Sequence, residues 1–263
     1  MRIDVVIPAH NEEQRIDRTL RRYRQADLGG PTRFVVALDG CVDQTAAVVR
    51  GHSLEDARVR SLELPKLGKG GALMEAFRSC EADIVAFVDA DGATPPTELR
   101  RLIDAARQGA DVAIASRRHP AAVTPCTRPM SRRITSAGFA FGVRRLFGLP
   151  YRDTQCGAKA VRGAALERIV PLLSSRDFLI DVDVLVVADA LGYDVVEVPT
   201  IWLDQAGSRL RPSADARRML ASAMRLWLHH RVLPIEPTSA AAPVVDLDVV
   251  RAQHEEASVR VAT

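Results

Sequence analysis

The sequence contains no run of about 18 consecutive apolar residues, the length a membrane-crossing helix requires. Its four cysteines, Cys41, Cys80, Cys126 and Cys156, are widely spaced, with no Cys-x-x-Cys pair. That argues against a zinc site or a disulfide framework and fits a reducing compartment. An excess of one charge is missing too: 36 Lys and Arg stand against 33 Asp and Glu, a net +3 that is too balanced to point to nucleic acid. No internal repeat is visible. Met1 leads directly into an apolar segment with Pro8 and Asn11 close behind, which is not the pattern of a secretory leader. The expectation is a cytoplasmic protein that touches the inner membrane surface at most peripherally.

What is present is an ordinary globular composition, 47% hydrophobic and 26% charged, over 263 residues, a length suited to one large domain. Ile3 to Ile7 and Phe34 to Leu38 read as short buried strands, and Val59 to Leu62, Ile84 to Val88 and Val112 to Ala115 as further strands. Helices are expected between them. One is capped by Asn11 with Glu12 and Glu13 in its first turn, one is capped by Asp43, one runs from Gly70 to Cys80, and one starts at Pro95 and Pro96. Strand and helix alternate, which predicts an α/β protein with a mostly parallel sheet covered by helices.

The second half is more irregular. Arg117 to Ser131 carries three prolines and reads as a long loop, with the length of a lid. Ser131 to Phe147, Asp181 to Leu191 and Ala214 to Arg231 read as helices, with strands near Cys156 to Val161 and Val195 to Leu203. The last helix carries Met219, Leu220, Ala223, Leu226 and Trp227 near one stripe, among Arg217, Arg218 and Arg225. Such a stripe either packs on the core or lies on an anionic bilayer. The expected division is one domain over 1–233, in two halves at 1–116 and 117–233, and a loose tail at 234–263.

In open parallel sheets, ligands bind at the carboxyl ends of the strands. Three polar clusters fall there: Pro8-Ala9-His10-Asn11-Glu12, Asp39-Gly40-Cys41-Val42-Asp43 and Asp89-Ala90-Asp91-Gly92. A lone Asp-x-Asp is commonly a capping or solvated pair, but two carboxylates just after a buried strand also suit a hard divalent ion, Mn²⁺ or Mg²⁺. Leu67-Gly68-Lys69-Gly70-Gly71 opens a helix and offers backbone N–H groups and Lys69 to a phosphate, or is simply a glycine turn. It is not a Walker A loop, because Gly70 stands where Ser or Thr is required, and no Gly-x-Gly-x-x-Gly occurs.

Val6-Ile7-Pro8-Ala9-His10-Asn11-Glu12-Glu13, Asp39-Gly40, Gly68-Lys69-Gly70 and Asp89-Ala90-Asp91-Gly92-Ala93-Thr94 occur in the order seen in family 2 glycosyltransferases. With Asp153-Thr154-Gln155-Cys156-Gly157-Ala158-Lys159, Asp181-Val182-Asp183 and Glu197-Val198-Pro199, the chain resembles the dolichyl-phosphate glucosyltransferase and mannosyltransferase branch over roughly Met1 to Arg211.

The resemblance implies a GT-A fold, an inverting mechanism and a nucleotide-diphosphate sugar donor, UDP-sugar favoured. It implies that Pro8, Ala9, Asn11 and Glu12 line the nucleoside pocket and that Asp39 meets the base. Lys69 lies near the diphosphate, Asp89 and Asp91 flank a Mn²⁺ or Mg²⁺ with Asp91 its direct ligand, and Ala90 between them and the basic Arg117 belong to the nucleotide-sugar site. Asp153, Gln155 and Lys159 face the sugar or acceptor, and Asp181 or Asp183 is the candidate base. Arg128, Arg132 and Arg133 are candidates for an acceptor phosphate. Three departures stand out: Leu38 replaces a usual Asp, Cys41 a usual Ser, and Asp183 a usual Glu. The implied acceptor is a polyprenyl phosphate, with a soluble or carrier-bound acceptor as the alternative. A nucleotide-sugar-binding protein without activity is the reading of another class.

Overall fold

A computed structural model describes residues 1–124, 130–203 and 212–235, with the side chains of 130–136 and 212–217 outside that description. In the first half, β1 (Ile3–Ala9), β2 (Thr32–Asp39), β3 (Val59–Leu64), β4 (Ile84–Phe87) and β5 (Val112–Ser116) alternate with α1 (Ile16–Gln25), α2 (Thr45–Glu55), α3 (Gly68–Arg78) and α4 (Pro96–Arg107). The second half supplies α5 (Met130–Phe147), β6 (Lys159–Arg162), α6 (Gly163–Ile169), a 3₁₀ turn (Val170–Leu172), α7 (Ile180–Ala190), β7 (Val195–Pro199) and α8 (Pro212–Val232).

The strands form one sheet in the order β3-β2-β1-β4-β6-β5-β7, parallel at every pairing except the two made by β6. β5 ends at the carboxyl edge of the parallel strands. The chain re-enters from that same edge, so β6 descends antiparallel between β4 and β5. Both halves of the chain therefore contribute to a single sheet.

Side chains alternate across it. Val5, Ile7, Phe34, Val36, Ile84 and Ala86 enter one buried layer with α1, α2 and α4. Val6, Val35, Val85, Phe87 and Ile114 enter the other, with α3, α6 and α7. Asp4 interrupts β1 and is buried. Its register partner Arg33 pairs with it at 2.5 and 2.9 Å.

Two sequence expectations change here. α1 starts at Ile16 rather than just after Asn11, and Arg15, the residue before it, makes no side-chain cap. Asn11 instead holds a left-handed backbone (φ 55°), and its Oδ1 accepts from Val42 N at 2.9 Å. On α8 the expected stripe divides between two faces. Ala223 and Leu226 pack into the core, while Leu220, Met224, Leu228 and Val232, spaced by four, face outward. Trp227 is half-buried under the Arg231 guanidinium, 4.9 Å away. The 234–263 tail lies outside the described residues from 236 onward.

Candidate active site

The carboxyl ends of β1, β2, β4 and β5 deliver the polar clusters to one edge, and α1 underpins them. Thr19 Oγ1 donates to Ala90 O at 2.9 Å, and the buried Tyr23 hydroxyl donates to Thr94 O at 2.9 Å, fixing the Asp89–Thr94 turn. Glu12 forms a two-pronged pair with Arg15 at 2.6 Å, and its N–H donates to Thr45 Oγ1 at 2.7 Å. Pro8 and Ala9 end β1 beside them.

Asp39, buried at the end of β2, accepts from Leu67 N at 2.5 Å and from Gly68 N at 3.1 and 3.2 Å. Gly70 N and Gly71 N donate to Arg176 O at 3.0 and 3.2 Å. Four of the backbone N–H groups that the sequence offered to a phosphate are thus already partnered within the protein. The stretch is a glycine turn, and Lys69 is its chemical feature.

Lys69 Nζ lies 2.9 Å from Asp89 Oδ1 and 2.7 Å from Asp181 Oδ2. Lys159, fully buried on β6, reaches the other oxygen of Asp181 at 3.0 Å and the Cys156 carbonyl at 2.6 Å. Asp181 is therefore clamped between two ammonium groups. Burial alone would raise its carboxyl, but Lys159 and Lys69 outweigh that and hold it below the ordinary value. Burial likewise works against the Lys69 charge, and the Asp181 and Asp89 carboxylates overcome it, raising the amine above its usual range. Lys159 is placed as a buried counter-charge beneath Asp181. It has no exposed surface, and its ammonium meets Asp181 and the Cys156 carbonyl.

Asp91 Oδ1 accepts from Ala93 N at 2.9 Å. Burial and then the neighbouring Asp89 charge push its carboxyl up. Two hard oxygen donors in mutual repulsion suit a divalent ion, which would relieve that repulsion. Among the described residues no group of three or more His, Cys, Asp or Glu side chains is placed to cage a metal unaided. The residues thus fit an ion shared with ligand oxygens and water, held by Asp91 and Asp89. Gly157 makes room for this pair: a Cβ there would lie 2.1 Å from Asp89 Oδ2.

Arg117, one residue past β5, meets Asp153 in a two-pronged pair at 2.7 and 2.9 Å, and its N–H donates to the same carboxylate at 3.0 Å. Its guanidinium sits 4.9 Å from the Trp202 ring. Burial would raise the Asp153 carboxyl, but Arg117 prevails and lowers it. Asp153 N and Arg152 N donate to Glu197 Oε1, so β7 holds this turn. Gln155, half-buried, donates its N–H to Asp153 Oδ1 at 3.3 Å.

Asp183 does not join the cluster. Its fully buried carboxylate lies 2.7 Å from His230 Nε2 and accepts from Ser174 N and Ser175 N at 2.7 Å. Arg128 and the side chains of Arg132 and Arg133 lie outside the described residues. Of the departures, Leu38 is buried in the core. Cys41 Sγ donates to Ala9 O at 3.3 Å, and burial raises its thiol, so a donor is retained where the family has Ser. Thr19, Tyr23, Gly157, Glu197 and His230 received no role from the sequence. Gly157 and Glu197 lie within the quoted motifs, so spacing signalled those two only.

The pattern described as "Glycosyl transferase family 2" matches residues 4–170. The chain is 32% identical over 248 residues to a dolichyl-phosphate beta-glucosyltransferase of Drosophila melanogaster, covering 88% of this chain and 76% of that one. It is 31% identical over 241 residues to Glycosyltransferase AglD of Haloferax volcanii, covering 88% of this chain but spanning only 38% of that relative's length. Among solved structures, glucosyl-3-phosphoglycerate synthase from Mycobacterium tuberculosis in complex with UDP superposes with a TM-score of 0.64 at 19% identity, over 90% of this chain and 81% of that one. The last likeness shows a shared fold, the GT-A arrangement.

Proposed function

The chain belongs to glycosyltransferase family 2, and on that premise we propose that it moves a hexose or N-acetylhexosamine from a UDP-sugar to a polyprenyl-phosphate-like acceptor, with inversion. The Drosophila relative is named for a dolichyl-phosphate reaction, and the mycobacterial neighbour was solved with Mn²⁺ and UDP. In this reading Asp91 and Asp89 hold a Mn²⁺ or Mg²⁺ against the diphosphate, where the ion supplies Lewis-acid charge. Lys69 and Arg117 add positive charge on the same edge, where negative charge builds on the leaving group. Pro8, Ala9, Asn11, Glu12 and Asp39 border the nucleoside side, and Gln155 and Asp153 the sugar side.

The observation that carries the acceptor assignment is the double clamp on Asp181. A general base works best with a pKa near the working pH, and two lysines hold this carboxylate low. A hydroxyl acceptor needs such a base. A phosphate monoester, with a second pKa near about 6, arrives largely ionised and does not. Asp181 is then an electrostatic partner of Lys69 and not a proton acceptor. Asp181→Asn tests this with polyprenyl phosphate and soluble alcohols as acceptors. On a phosphate acceptor the loss of turnover stays within about tenfold. A loss of about 10²–10⁴-fold at unchanged donor affinity is the signature of a base and overturns the assignment.

The outward face of α8 supports contact with an anionic lipid surface. Leu220, Met224, Leu228 and Val232 are exposed in one row, with exposed Arg218, Arg225 and Arg231 around it. Residues 218–235 contain no Asp or Glu. Exposed apolar residues rimmed by cations alone match an interface of hydrocarbon and phosphate. Among the described residues no helix is long and apolar enough to cross a membrane.

A further inference from the structure

Asp183 is too far buried and too well partnered to be an idle carboxylate. Its two oxygens hold Ser174 N, Ser175 N and His230 Nε2, each 2.7 Å away, and the Ser174 hydroxyl at 3.4 Å, from two separate elements. Eight residues before His230 on α8, Ser222 Oγ donates to Asp177 Oδ2, and Asp177 Oδ1 in turn accepts from Leu179 N at 2.9 Å at the start of α7. Eight residues span about 12 Å of helix, so α8 grips the 174–183 segment at two points two turns apart.

That segment is wedged against the first turn of α3. Arg176 O accepts from Gly70 N and Gly71 N. A Cβ on Gly70 would lie 2.2 Å from Ser175 O, and one on Gly68 would lie 2.5 Å from Arg176 O. Lys69 sits inside this contact and turns its ammonium to Asp89 and Asp181. Asp181 itself lies two residues before Asp183 on α7. Hydrogen bonds alternating with short stretches of backbone therefore connect α8, through Asp183 and the 174–176 backbone, to Gly70, the neighbour of the residue that meets the donor cluster.

We propose that Asp183 is a positioning residue for the donor site, joining His230 of α8 to the α3 turn that aims Lys69. It acts through the 174–176 backbone and touches no reacting atom. The proposal rests on the donor reading above for its consequence, and its structural link can be tested apart from that reading.

The test is hydrogen exchange on the full chain together with UDP binding in the presence of Mn²⁺, for wild type, His230→Ala, Ser222→Ala and Asp183→Asn. Exchange at the Gly70 and Gly71 amides accelerates about tenfold in His230→Ala, less in Ser222→Ala, while amides of α4 keep their wild-type rates. The UDP dissociation constant rises about fivefold in His230→Ala. Asp183→Asn can accept from the same two N–H groups and offer its NH₂ to the histidine, so it stays within about twofold of wild type in both measures. Unchanged exchange at Gly70 and Gly71 in His230→Ala, or equal acceleration of α4 and α3 amides, overturns the link. Accelerated exchange with unchanged UDP affinity overturns the positioning role. If the wild type itself binds no UDP, the donor reading fails, and the exchange experiment still decides the link.

Discussion

Individual side chains at this edge are set by close approach more than by exposure. Gly157 is the clearest case, since any side chain there would occupy the space of the Asp89 carboxylate. Gly157→Ala should displace Asp89 and weaken Mn²⁺-dependent nucleotide binding at least about tenfold, while thermal melting falls only modestly, because the group that must move is partly exposed. Binding equal to wild type would show that Asp89 tolerates the shift. Asp153 makes a different prediction. Its folded-state pKa lies below its unfolded value, so its ionisation stabilises the fold above about pH 4, and that contribution is lost as pH falls through the lowered value. Asp153→Asn should cost about 3 kcal/mol near neutrality, as for a broken buried pair, and the gap in Tm from wild type should narrow on acidification. A gap that does not change with pH would place the stabilisation elsewhere. The residues of the Asp89–Asp91 turn were legible in the sequence because a run of apolar strand ends abruptly in two carboxylates. The partners of Asp181 and Asp183 were not. Lys69 is 112 residues away from Asp181 and His230 is 47 away from Asp183, and no local pattern records such pairings.

Elements behave according to what covers each face. β1, β2, β4 and β5 read correctly from sequence because both sheet faces are covered there, leaving near-continuous apolar runs, whereas β3 lies at the sheet edge with only Val59 fully buried. The direction of β6 could not be read, since a four-residue strand carries no sign of which neighbour it joins. α6 was missed for the same reason of length, at seven residues. α8 was legible as an amphipathic helix, but its faces were not, because it is apolar on two sides and only packing separates them. Its outward row gives a direct prediction. A Met224→Glu, Leu228→Glu double variant should lose co-flotation with vesicles containing anionic lipid and keep its fold, since neither side chain belongs to the core. Wild type that fails to float with such vesicles would remove the lipid-surface reading of this helix.

At the scale of the whole molecule, one sheet carries residues from both halves of the chain. The strands from the first half lead into the cluster of Asp39, Asp89 and Asp91, and β6 and β7 from the second half bring Lys159 and Glu197 to the same edge. The order of motifs was sufficient to foresee the fold, because each polar cluster follows a buried strand and the strand order of an α/β sheet follows from short right-handed connections. The resemblance implied a polyprenyl phosphate acceptor, but the charge balance around Asp181 was not legible, since it exists only once three separate segments meet. In the proposed function, Asp89 and Asp91 build a metal-assisted nucleotide-sugar site. Calorimetric titration of UDP and GDP into wild type and Asp91→Asn, with and without Mn²⁺, tests it most directly. UDP is expected to bind wild type in a Mn²⁺-dependent manner, and Asp91→Asn to lose that dependence. Absence of nucleotide binding by the folded protein, or Mn²⁺-dependent binding that survives in Asp91→Asn, would contradict it.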